Sequence, residues 1–462
     1  MVQDTARDWW DKGLKLRDEQ RMPEATSALA RAAELAPESS DIAFDYAQIC
    51  YASGLPAASL MCKLSQRNPN HLGVLREAAA ALAAEGHQEQ AEQLLVHALD
   101  LRPDWVEGHQ NLASLRFTAG DRGDFARSYS AACRAQPHNL ALRMAWFYTL
   151  AMLREWPSAF KILDDGQAYF ADARSLTLGK LYVACESGDV KRADILLQQT
   201  ESIQDAGLDI CRVRYFLRTG RIELAHAAAT RLSQTPAARL AWPYLSLIWR
   251  LQDDARAEWL DGNPLFIQTF DLDFSAGERD ELADLLRQLH IARAPRIEQS
   301  VRGGTQTERQ LFFRHEAIIQ RTKEKIVEAI RSYIAALPPI DMNHPLLSVA
   351  RNLILFEGSW SVRLKGHGFH VSHTHPQGWI SSAFYVSLPD VERSGSAPAG
   401  WIQFGTPPRE LNLRLTPYAE IQPQPGRLVL FPSTMWHSTV PFPEGERLVI
   451  AFDVRTADRN AS

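Results

Sequence analysis

At 462 residues the chain is too long for one hydrophobic core, so two or three domains are expected. Its 45% hydrophobic and 23% charged content is ordinary for a soluble globular protein. The formal net charge of -5 gives no footing for nucleic-acid binding, and there is no apolar run long enough to span a membrane. The first ten residues, Met1 to Trp10, lack the apolar core of a secretory signal. All five cysteines (Cys50, Cys62, Cys133, Cys185 and Cys211) lie in the first half with no CxxC spacing. They read as small buried hydrophobes in a reducing compartment, and a cytoplasmic location is expected.

From the N-terminus, prolines recur at Pro37, Pro69, Pro103 and Pro137, in steps of 32, 34 and 34 residues. Between them stand Gly54, Gly86 and Gly120, a series resumed by Gly188 and Gly220. Each of these glycines is followed four to six residues later by an alanine: Ala58, Ala91, Ala126, Ala193 and Ala225. The pattern describes helical hairpins. Glycine turns the chain between two helices, alanine lets them approach, and proline stops the second. A period near 34 residues with these positions resembles the tetratricopeptide repeat. Four repeats are clear and two or three degenerate ones follow, around Glu155–Ala159, Gly188 and Gly220. Single repeats cannot bury their apolar faces alone, so a stacked superhelix over residues 1–258 is expected.

After Trp259 the rhythm fades. Residues 259–345 read as a connecting segment: a short strand-like run near Leu265–Phe270, a helix over Glu278–Leu289, and a loop over Gln299–Thr307. A second amphipathic helix is expected from about Arg314 to Leu337, ended by Pro338 and Pro339. From residue 346 to 462 the texture becomes short alternating strands split by Gly, Pro and Ser. Candidates are Leu347–Phe356, Trp360–Leu364, Trp379–Leu388, Trp401–Phe404, Arg427–Phe431 and Arg447–Val454. Many short strands of this kind indicate a double-sheet jelly roll. The expected fold class is therefore α+β multidomain: a helical repeat superhelix, then a double-stranded β-helix domain with flanking helices.

Four of the 14 histidines, His367, His370, His373 and His375, fall within nine residues. Two histidines at i and i+2 on an extended strand point to one side, so His373 and His375 form the edge of a candidate metal site. His437 returns from a distant strand to complete it. If Pro441–Gly445 is the turn of a tight hairpin, His437 and Arg447 lie opposite each other across it. A metal with an arginine nearby suits a dicarboxylate cosubstrate: one end chelates the metal and the guanidinium grips the far carboxylate with paired hydrogen bonds.

These residues carry a resemblance. The segments Gln299–Thr307, Ser359–Arg363, His373–Pro376, Ser381–Val386, Gly426–Pro432, His437 and Arg447–Phe452 resemble those of bacterial 2-oxoglutarate- and Fe(II)-dependent oxygenases fused to tetratricopeptide repeats. They are more distantly similar to those of aspartyl/asparaginyl β-hydroxylases. The resemblance implies that His373 and His437 bind Fe(II), that Arg447 holds the distal carboxylate of 2-oxoglutarate, and that O₂ is the oxidant. It implies oxidative decarboxylation of 2-oxoglutarate coupled to hydroxylation of a substrate C–H bond. The usual iron triad is two histidines and a carboxylate, and here His375 stands in the carboxylate position. It is a third neutral ligand, a group behind a water in that position, or the mark of lost catalysis or of another metal such as zinc. Arg363 and Tyr385 are candidate cosubstrate contacts, although core packing or an ion pair explains them equally well. His367 and His370 read as structural or solvent-facing.

The expected function is hydroxylation of a side chain on a peptide or protein held in the repeat groove. Hydroxylation of a small molecule, with the repeats serving oligomerisation such as a homodimer, is the runner-up. An inactive repeat scaffold is the third reading. No membrane or nucleic-acid partner is expected.

Overall fold

The computed structural model describes residues 5–171, 173–294, 297, 299–390 and 395–455. The N-terminal part is a run of paired helices. The helices Met22–Leu35, Ala58–Arg67, Gln88–Leu101 and Arg127–Ala135 each stop two residues before Pro37, Pro69, Pro103 and Pro137. Gly54, Gly86, Gly120, Gly188 and Gly220 all adopt positive φ, between 72° and 101°, in the turn between paired helices. A side chain there would be strained, which is why glycine recurs at that point of each repeat. Ala58, Ala91, Ala193 and Ala225, which open the next helix, are buried, so the helices approach closely where the sequence has its smallest side chains.

The chain forms two compact units. The first comprises Met1–Ala145, Gln288–Ile297 and Thr307–Glu324. Its core joins successive repeats through small residues, among them Ala47, Ala78 and Ala81 with Met61, Val74 and Leu95. The second comprises Trp146–Arg287, Glu298–Gln306 and Lys325–Ser462, so the later helical hairpins belong with the β-structure.

Among the described residues nine strands form that β-structure: β1 (Gln268–Asp271), β2 (Val301–Gln306), β3 (Leu355–His370), β4 (Ile380–Ser387), β5 (Ile402–Phe404), β6 (Ala419–Ile421), β7 (Arg427–Pro432), β8 (His437–Thr439) and β9 (Glu446–Arg455). They make a six-stranded antiparallel sheet in the order β1-β7-β4-β9-β3-β2 and a three-stranded sheet in the order β6-β5-β8. Two facing sheets with this interleaved order are the double-stranded β-helix expected from the strand texture. Phe404 of the small sheet and Phe431 of the large one meet with ring centroids 4.9 Å apart and join the two layers.

Three local expectations are corrected. Residues 299–307 are not a loop, because Val301–Gln306 pairs with β3 as an edge strand. The two glycines that suggested a loop make a bulge: the register shifts between Arg302 and Gly304, with Gly303 at φ +72°. The long β3 replaces two shorter expected strands and begins at Leu355, not Leu347. His437 and Arg447 are not hairpin partners, since His437 lies opposite Phe404 in the small sheet and Arg447 opposite Leu364 in the large one. The segment Pro441–Gly445 crosses between sheets; Pro441 and Pro443, which have no N–H to donate, suit a crossing better than a ladder. No described helix is long and apolar enough to cross a membrane.

The last repeat helices pack against the small sheet within the second unit. Trp436 and Leu411 join a core built from Val213, Leu217, Ala228, Leu245 and Ile248. The Trp436 indole donates to the Pro243 carbonyl at 2.8 Å, and its ring meets Tyr244 edge-on. Arg239 donates to the Gly378 carbonyl at 3.0 Å and Arg250 to the Gly405 carbonyl at 2.5 Å. Trp436 immediately precedes His437, so these helices hold the strand that presents a candidate ligand.

Candidate metal and cosubstrate site

His373 and His437 are brought together by backbone pairing. Each donates its N–H to the other's carbonyl at 3.0 Å, a bridge that puts both side chains on one face. The His375 N–H donates to the Ser433 carbonyl at 2.9 Å, which turns the third imidazole toward the same space. Ring centroids are 4.2 Å apart for His373 and His437, 4.9 Å for His373 and His375, and 5.2 Å for His375 and His437. One ligand atom from each lies within 4.8 Å of the others, a spacing that a single metal ion can bridge. Among the described residues this is the one group of three or more candidate ligands.

Each imidazole is oriented through Nδ1. His373 Nδ1 is 2.8 Å from the Val371 carbonyl and His437 Nδ1 is 3.0 Å from the Met435 carbonyl. His375 Nδ1 is 2.7 Å from Asp453 Oδ2. A carbonyl cannot donate, so Nδ1 of His373 and His437 carries the proton and Nε2 keeps its lone pair for a metal. Burial, and then the neighbouring histidines, push His373 and His437 well below the ordinary histidine range. Neutral imidazoles are what metal ligation needs. For His375 burial works in the same direction, but the Asp453 carboxylate outweighs it and raises the pKa.

His370 is not solvent-facing. Its Nδ1 is 3.0 Å from Ser300 Oγ, which in turn lies 3.2 Å from His373 Nε2. Burial, then the positive charge of Arg447, holds it neutral, with its pKa pushed down to about 3. His367, by contrast, is exposed and sits in a turn at φ +63°.

Arg447 is buried on β9. One guanidinium nitrogen donates to the Gly400 carbonyl at 2.7 Å, and the group lies 4.9 Å from the Tyr385 ring centroid. Nε of Arg447 and the hydroxyl of Tyr385 are buried without hydrogen-bond partners. Such orphans are costly, and a carboxylate between them would satisfy both. Tyr385 lies opposite Val449 and Arg447 opposite Leu364, so alternation places both on the inner face of the large sheet. Arg363 lies opposite Leu448 and therefore on the outer face. Its guanidinium pairs with Glu446 at 2.5 Å, and the structure does not bring it to the cluster.

Several residues around the site carried no assigned role in the sequence. Asp453, Ser381 and Ser433 form a buried chain beside His375, with Ser381 Oγ 2.5 Å from Asp453 Oδ1 and 2.8 Å from Ser433 Oγ. Trp360 lies parallel to His375 with centroids 5.8 Å apart, and Phe431 is 4.7 Å from His437. Alternation along β9 from Arg447 through Val449 and Ala451 was the available signal for Asp453.

Residues 358–453 match the family model described as "Putative 2OG-Fe(II) oxygenase". The C-terminal part of the chain carries a domain of that family. No curated protein matches the chain. Among solved structures, a tetratricopeptide repeat protein from Parabacteroides merdae is 14% identical with a TM-score of 0.32, covering 51% of this chain and 95% of that one. A prolyl-4-hydroxylase from Pseudomonas putida is 16% identical with a TM-score of 0.29, over 41% and 92% of the two chains. HygX from Streptomyces hygroscopicus, solved with nickel, 2-oxoglutarate and hygromycin B, is 10% identical with a TM-score of 0.29, over 42% and 84%.

The residues present fit the group that this family's name implies. Three histidines offer nitrogen donors to a divalent metal, and the orphaned Arg447 and Tyr385 atoms suit a carboxylate.

Proposed function

We propose that this chain is a 2-oxoglutarate- and Fe(II)-dependent dioxygenase that hydroxylates a side chain of a peptide or protein bound by the repeats. The observation that carries the reading is the pairing of a three-histidine cluster with a buried arginine whose Nε lacks a partner. Residues 346–462 are assigned as the oxygenase core, completed by β1 and β2 from the connecting segment 259–345, and 1–258 as the repeat region.

Fe(II) with 2-oxoglutarate and O₂ supplies oxidative decarboxylation to succinate and CO₂ and the oxidising power to hydroxylate a C–H bond. His373, His437 and His375 hold the metal through Nε2, while the Nδ1 hydrogen bonds fix the ring orientations. Arg447 and the Tyr385 hydroxyl grip the far carboxylate of 2-oxoglutarate. Trp360 against His375 and Phe431 against His437 give the histidines apolar neighbours that limit water access. No acid–base pair is needed for this chemistry.

A second reading assigns the repeats a bracing role and the enzyme a small-molecule substrate. It is favoured by the contacts of helix Trp242–Leu251 with Trp436 and Gly405. The two readings separate in one experiment on the full chain. Purified protein with Fe(II), ascorbate and 2-oxoglutarate is incubated with cell extract under air, and proteins are examined by mass spectrometry. The peptide reading expects one added oxygen on a discrete protein site, absent with His373→Ala. No modified protein, together with an oxidised metabolite, would favour the second.

A further inference from the structure

The three imidazoles are not held alike. Backbone carbonyls orient His373 and His437, whereas a carboxylate orients His375. Asp453 Oδ2 is 2.7 Å from His375 Nδ1, and Oδ1 already accepts from Ser381 Oγ at 2.5 Å. The carboxylate is thus fixed at one oxygen and aimed by the other. Asp453 is 7% exposed and lies opposite Gly358 and Ser381 in the centre of the large sheet. A charge so placed is costly unless it serves a partner.

We infer that Asp453 is the positioning residue that makes His375 a metal ligand and supplies, one hydrogen bond behind it, the negative charge that a His-only centre lacks. The inference rests on the oxygenase reading above. Two histidines and a carboxylate give a metal a singly negative donor set; three neutral imidazoles give none. A carboxylate hydrogen-bonded to Nδ1 fixes the tautomer that leaves Nε2 bare and raises that nitrogen's basicity. His375 and Asp453 together therefore carry the charge and the geometry of the missing ligand, through an imidazole instead of directly. Strand β9 then has two duties on one face: Arg447 near one end for the cosubstrate, and Asp453 six residues on for the metal. Ser381 and Ser433 keep the carboxylate from rotating away.

The test uses Co(II) as a probe of the full-length protein without oxygen, read by titration and by its visible absorption bands. The expected result for Asp453→Asn is a Co(II) affinity about 10–100-fold weaker, with bands shifted toward those of His375→Gln, and a retained cooperative melt. The double variant should be no weaker than His375→Gln alone, because Asp453 acts through His375. Unchanged affinity and bands in Asp453→Asn, or additive losses in the double variant, would overturn the assignment. If Asp453→Asn does not fold, Asp453→Glu takes its place, with an intermediate loss of affinity expected and no change contradicting. Wild-type protein that binds no Co(II) would sink the oxygenase reading itself and this inference with it. Wild type that binds while Asp453→Asn matches it would sink only the role of Asp453.

Discussion

The early repeats and the β-domain solve the same packing problem by opposite routes. In the first unit the hairpins around Gly54 and Gly86 are specified by residues close in sequence: a glycine at positive φ, a buried alanine, and a proline two residues past the helix end. In the β-domain the side chains that assemble the site are distant in sequence. His373 meets His437 across 64 positions and His375 meets Asp453 across 78. A repeat can change one unit at a time, because stability there is a sum of local and nearest-neighbour terms. The site has no such independence, since one strand shift would move all its side chains to the other face. Helices Ala206–Arg218 and Trp242–Leu251 stand between these cases. They have repeat architecture, yet Trp436 and Leu411 from the β-domain complete their core.

That intermediate position can be broken directly. Trp436→Ala removes a buried ring and its bond to Pro243, and should destabilise the second unit by about 3–5 kcal/mol. It should also weaken metal binding through His437. Thermal melts of the loaded and unloaded variant check this; a loss confined to stability would mean that the helices brace the fold and not the ligand.

Arg447→Ala tests the site without touching the repeats. Truncating one member of a buried charge pair costs about 2–5 kcal/mol, so the 2-oxoglutarate requirement should rise at least ~30-fold. Steady-state 2-oxoglutarate consumption measures it, and an unchanged requirement would remove Arg447 from the cosubstrate pocket.

Asp261 gives the same junction a pH signature. Burial pushes its carboxyl up to about 6, against the opposing effects of the Ser246 hydrogen bond and Arg250. The folded protein therefore holds this proton more tightly than the unfolded chain. Its contribution is fully favourable below the unfolded value near 4 and is lost as pH rises through about 6, a loss on the order of 3 kcal/mol. Asp261→Asn should flatten the stability profile over that window and raise the melting temperature at pH 7.5. An identical pH slope in the variant would contradict this.

The smallest effect is expected at Arg363, on the outer face with Glu446. Arg363→Gln should cost below about 1 kcal/mol of stability and leave the 2-oxoglutarate requirement alone. A requirement that rises as in Arg447→Ala would return Arg363 to the site.

What was legible in the sequence follows the same division. The repeat turns were readable because glycine and proline act on their own backbone. The strands of the β-domain were readable as texture, but their partners were not, since pairing is decided by burial across the whole sheet. Hence Pro441–Gly445 looked like a hairpin when it is a crossing, and Gly303–Gly304 looked like a loop when it is a bulge. His373, His437 and Arg447 stood out by residue type. Asp453 did not, because an aspartate in a Phe-Asp-Val strand has no local mark. Its importance comes from His375, 78 positions earlier.

The central claim is that metal and 2-oxoglutarate share one site between the histidines and Arg447. Calorimetric titration of 2-oxoglutarate into the full-length protein under nitrogen, with and without Fe(II), tests it without any knowledge of the substrate. The account predicts tight binding that requires Fe(II), is lost in His373→Ala and His437→Ala, and is weakened in Arg447→Ala. Binding of equal strength with and without metal would contradict it.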